Sequence, residues 1–148
     1  MIHELEKLCS LKAFEKEKAV QIMKKIDVNQ EFVTLNHGYN VTLLDYAATF
    51  ANYEMVKLLL ENGADPNLVY DNGTENVLWN LQYAENDPKE NEIRLDIVKL
   101  LLEHGANPYI KVENEDLYHW AIACWQDDMG LQAEYRGHFI DLLEDYGA

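Results

Sequence analysis

The chain has 148 residues, 48% of them apolar, which is a single-domain length with enough apolar content to bury a core. Its 12 Lys and Arg face 27 Asp and Glu, a formal charge of −15. A surface of that sign repels nucleic acid and anionic lipid and attracts basic proteins over about a Debye length.

Residues 1–30 stand apart, with six basic residues against five acidic. HELEKLCSLKAF carries no basic stretch followed by an apolar one, so it does not read as a secretory leader. No apolar run approaches the roughly 20 residues of a membrane span, and the expected location is the cytoplasm. KEKAVQIMKKI (16–26) reads as a helix, followed by Asp27-Val28-Asn29 and a long loop, QEFVTLNHGYNV (30–41). Thr42 then caps a helix whose Leu44, Ala47 and Ala48 form an apolar stripe with room for close packing.

Residues 54–67 read EMVKLLLENGADPN, and 42 residues later DIVKLLLEHGANPY keeps nine of the 14 positions. In each copy Val56, Leu59 and Leu60, or Val98, Leu101 and Leu102, fall at i, i+3 and i+4, and Leu58 or Leu100 widens the stripe. A helix apolar over that much of its circumference suits a place between neighbours. Gly63 and Gly105 end the helices, and Pro66 and Pro108 prevent continuation.

Residues 42–67 resemble an ankyrin repeat, in which helix A opens on T-P-L-H-x-A and helix B closes on G-A-D-x-N. Leu43 and Asp45 replace the usual proline and histidine. DLYHWA (116–121) resembles the helix A signature again, with Asp116 as cap and His119 hydrogen-bonding in its own turn; that copy closes in FIDLLEDYGA. GTENVLWNL (73–81) aligns if Glu75 stands for the threonine and Asn80 for the buried alanine, which makes Tyr46, Trp79 and Trp120 equivalent core positions. The resemblance implies an all-α ankyrin solenoid of four units, 1–30, 31–67, 68–109 and 110–148, with helix over well more than half the chain. The charged N-terminal pair and the last helix, with Asp141, Glu144 and Asp145, suit capping.

Simple ankyrin repeats recur about every 33 residues, whereas Gly63, Gly105 and Gly147 are 42 apart. The additional residues fall between helices A and B, near AENDPKENEI (84–93) and QDDMGLQAEYR (126–136), on one rim. The resemblance further implies a concave binding surface built from the finger turns and the exposed end of helix A. Asn40, Gly73 and Asn114 take its left-handed finger position. The outward finger residues are then Tyr39, Val41, Val69, Asp71, Asn72, Thr74, Glu113 and Glu115. The helix A ends supply Thr49, Phe50, Gln82, Tyr83 and Trp125, and the rim adds Asp127 and Asp128. Phe50, Tyr83 and Trp125 are the aromatic anchors, unless the insertions fold over the last two.

Catalytic chemistry finds no constellation. The five histidines show no metal-ligand pairing, Cys124 has no base nearby except His119, and no phosphate-binding glycine loop or nucleophile elbow occurs. Asp127 and Asp128 lack the ligand-rich loop calcium requires. Cys9 and Cys124 read as free, buried thiols. The expectation is a monomeric, cofactor-free, non-enzymatic module that binds a basic protein. One alternative is an acidic immunity or inhibitor protein that occludes the active site of a basic toxin or enzyme; a weaker one is a regulatory subunit of an enzyme.

Overall fold

Short polar caps set where the helices begin. Thr42, Asn52, Asn76 and Asp116 each accept, through the side chain, the backbone N–H three residues on, and Asp87 accepts that of Lys89 ahead of Pro88. The computed structural model, which describes residues 1–11 and 13–148, has helices α1 (Ile2–Cys9), α2 (Lys16–Met23), α3 (Leu43–Thr49) and α4 (Tyr53–Glu61). These are followed by α5 (Val77–Asn80), α6 (Pro88–Glu103), α7 (Leu117–Trp125) and α8 (Gly130–Asp145). Together they cover 52% of the chain, less than expected, because α5 is a single turn and the fingers are extended.

Odd and even helices form two layers. In one, α1 packs on α3 and α3 on α5; in the other, α2, α4, α6 and α8 follow one another. Leu59, Leu101 and Leu143, 42 residues apart, are fully buried between the layers, as are Val56 and Val98. The fingers are hairpins of two-residue strands: β1 (Phe32–Val33) pairs with β2 (Asn40–Val41), and β3 (Lys111–Val112) with β4 (Glu115–Asp116). Between them a single bridge joins Tyr70 and Glu75. Phe32, Tyr70 and Val112 are equivalent in these pairings, and all three are buried.

A side-chain ladder ties successive units together. The Asn29 amide donates to Gly63 O (3.0 Å) and accepts from Asp65 N (2.8 Å). Asn67 repeats this with Gly105 O (2.9 Å) and Asn107 N (2.7 Å). The closing asparagine of each repeat is therefore an inter-unit clamp, which explains why the N-terminal Asp27-Val28-Asn29 echoes it. At the next equivalent position stands Tyr109, and the ladder ends.

Three expectations are corrected. The cap of α5 is Asn76, whose amide also donates to Pro66 O and Leu68 O (both 3.0 Å), while Glu75 is engaged by Tyr70. The register therefore shifts by one: Leu81 takes the buried alanine position, and Asn80 rather than Trp79 matches Tyr46 and Trp120. Trp79 instead packs against Trp120 with the two rings tilted by 30° (centres 5.9 Å apart), and Trp120, expected in the core, is 36% exposed. In the first finger the left-handed residue is Gly38 (φ 69°), not Asn40, which lies in β2; Gly73 and Asn114 are left-handed as expected.

The insertions are mostly helix. α4 has 9 residues whereas α6 and α8 have 16 each, so each gains about two N-terminal turns, roughly 10 Å. Among the described residues both thiols are free; Cys9 is buried, and Cys124 only partly. Burial, with Glu6 nearby, holds the Cys9 thiol well above its ordinary pKa, so it is not a nucleophile.

Asp45 occupies the position of the signature histidine and joins the second and third units. It accepts hydrogen bonds from the Tyr70 hydroxyl and the Asn80 amide (2.8 Å). Burial raises its pKa against the pull of those two donors. A carboxyl whose folded pKa is raised is penalised when ionised, and the penalty lifts as pH falls through that pKa. The stability of the wild type relative to Asp45→Asn is thus expected to rise as pH drops from 7 and to level off below the ordinary carboxylate range. Denaturant melts across pH 4–8 check this; a difference independent of pH would show that Asp45 titrates as a solvated acid.

Candidate protein-binding surface

In the fingers, the long first loop presents Tyr39, 62% exposed and stacked on His37 at 5.6 Å. Val41 and Val69 are half-buried, and Val41 packs part of its surface against the core. Asp71 (φ 53°) gives its backbone N–H to Glu31 and accepts from the Asn40 amide at 3.2 Å, so the second finger is locked to the first. Asn72, Thr74, Glu113 and Glu115 are exposed.

At the end of helix A, Thr49 is exposed but bonds back to Asp45 O (2.9 Å). Phe50 is 42% exposed, with one edge against the Tyr46 ring at 4.9 Å. It is an anchor-type aromatic: held on one side and open on the other.

Gln82 is not on this surface. It is fully buried, because the inserted turns of α6 and α8 close over the loop after α5. Gln132 receives Ala84 N (2.8 Å) and donates to Gln82 O (3.2 Å), Tyr135 donates its hydroxyl to Leu81 O, and Arg94 donates to Tyr83 O (2.9 Å). Tyr83 keeps an exposed edge beneath the Arg136 guanidinium, 5.1 Å from its ring centre. Trp125 is likewise pinned: its indole donates to Ala133 O (2.8 Å), and its ring lies on Gly137, where a Cβ would come within 3.2 Å. Both remain partly open, so the insertions hold these aromatics in place without hiding them.

Asp127 is exposed, but Asp128 is removed from the rim because its carboxylate meets Arg136 at 3.1 Å. Arg136 is 2% exposed and Arg94 is buried too, at the equivalent position 42 residues earlier. Of the six cations in residues 31–148, only four lysines therefore reach the surface, against 22 acids of which Asp45 is buried. With Asp128 also withdrawn beside Arg136, the exterior of that region keeps four lysines against 20 acids, the same balance as its formal charge.

One cluster was missed. Tyr109, Tyr118 and His119 interlock, with ring centres 5.5–5.9 Å apart, and Tyr109 is exposed. The signal was legible: an aromatic replaces the closing asparagine between two otherwise near-identical segments. His119 accordingly sits 2.9 Å from the Asp116 carboxylate beside its own cap, as the resemblance implied. Among the described residues no three His, Cys, Asp or Glu side chains converge to hold a metal. No helix among them is long and apolar enough to cross a membrane.

The ankyrin repeat family model matches residues 39–71 and 81–112. The first match runs without interruption from the tip of the first finger through α3 and α4 to Asp71. The second begins directly after α5, skipping the turn whose register is shifted, and continues through α6 to β3. The two matches are consistent with an ankyrin-repeat protein, and the mostly helical structure fits an all-α repeat solenoid. Such repeats are generally protein–protein interaction modules and typically not enzymes. No curated protein is a significant match to the chain.

Proposed function

We propose that the protein binds a basic protein partner through the fingers, the open ends of helix A and the adjoining rim, acting in the cytoplasm as a monomer without catalysis of its own. The observation that carries this is the set of partly open aromatics, Phe50, Tyr83 and Trp125, in a region whose exposed charged residues are mostly acids because Arg94 and Arg136 are buried. Aromatic anchors supply affinity where they are desolvated, and the acids steer the encounter. A narrower reading with the same support is an acidic immunity or inhibitor protein that occludes a basic toxin or enzyme. Capture from the host followed by mass spectrometry separates the two: one stoichiometric basic protein supports the inhibitor, many partners an adaptor.

With a captured partner, Glu113→Gln, Glu115→Gln and Asp127→Asn together are expected to slow association and flatten its salt dependence. Glu17→Gln, Glu61→Gln and Asp145→Asn remove equal charge from α2 and from the ends of α4 and α8, and should do much less. Screening over about 8 Å at physiological ionic strength makes placement matter. Equal effects in stopped-flow kinetics would reduce the acidity to a solvated exterior and sink the proposed face.

A further inference from the structure

The paired insertions also build a groove on the opposite layer, away from the fingers. Its volume is about 660 Å³, and it runs between α6 and α8. α6 lines it with positions 88, 91, 92, 95, 96 and 99, and α8 with 131, 134, 135, 138, 141 and 142; each set is one continuous helical stripe. The inserted turns supply Pro88, Asn91 and Glu92 from one helix and Leu131, Glu134 and Tyr135 from the other, so an uninserted repeat would have only half of it.

Leu95 and Leu142 are half-buried in the groove, and Leu131 is 42% exposed at its edge. Glu92 and Asp96 stand along the α6 side, Glu134 and Asp141 along the α8 side. Lys99 and His138 also line it, which leaves the groove net negative. An apolar floor between two acidic banks, as long as a helix, complements a helix with leucine-like residues on one face and lysines or arginines flanking them. A small apolar ligand would leave the carboxylates unanswered, and an all-polar basic chain would leave the leucines in water.

We propose that the α6–α8 groove is a second docking site, which takes a basic amphipathic helix of a partner protein. It goes beyond the finger-face reading: the groove takes inserted residues of the rim but none of the finger or helix A residues of that face, so the two can fail separately.

The test uses a fluorescent Leu/Lys peptide of about four helical turns, ~14 residues, with a Gln/Lys peptide of equal charge as control. The whole chain should bind the first and bind the second at least about tenfold more weakly, since burying one leucine-sized face accounts for that factor. NMR shift changes should map to α6 and α8. Leu131→Lys, at an exposed position, should lower affinity about tenfold or more. Glu92→Gln with Glu134→Gln, which keeps the floor intact, should lower it and weaken its salt dependence. The finger triple variant should bind the peptide as the wild type does.

Equal binding of the two peptides, shifts spread over the acidic fingers, or unchanged binding by Leu131→Lys would each overturn the proposal. So would a concentration-dependent dimer dissolved by Leu131→Lys, which would give the groove to a second copy of this chain.

Discussion

Removing residues 110–148 is expected to abolish cooperative folding of what remains and to drive it into aggregates. In a repeat solenoid each unit completes its core only against its neighbour. Leu117, Ala121, Tyr135, Phe139, Ile140 and Leu143 belong to the same buried cluster as Ile97, Val98 and Leu101. Deleting them bares an apolar face and leaves Arg94 without the α8 side of its surroundings. Size-exclusion chromatography with thermal unfolding checks this; a monomeric truncation with a sharp melt would mean that the first three helix pairs form a self-sufficient core.

Leu101→Ala is expected to cost about 2–5 kcal/mol, from lost burial together with the cavity left between the layers. Leu59→Ala should fall in the same range, because both side chains are fully buried at equivalent places. Phe50→Ala is expected to cost much less, since a large part of its ring already faces water. Denaturant titrations of the three variants give the comparison. A Phe50→Ala loss as large as that of Leu101→Ala would make Phe50 a core residue and remove the best aromatic anchor of the finger face.

The repeated segment, its glycine and proline stops and the caps at Thr42 and Asp116 are all legible in the sequence alone, because each depends on contacts within a turn or two of chain. Leu59 and Leu101 were readable as core for the same reason: a wide apolar stripe has only one place to go. The register of α5 was not. Its cap depends on the Asn76 amide reaching Pro66 and Leu68 across the finger, and the signature alone could not choose between Glu75 and Asn76.

What the amino-acid sequence determined by itself was therefore the repeat, the all-α solenoid and the acidic balance of residues 31–148. Only the tertiary structure decided how that charge is displayed. The inserted residues could have looped outward; instead they continue α6 and α8, pull Gln82 inside, pin Tyr83 and Trp125 and bury Arg94 and Arg136. The 42-residue echo of the two arginines was visible, but their burial was not. Burial is set by what the neighbouring unit places against a residue, and periodicity within one helix carries no information about that.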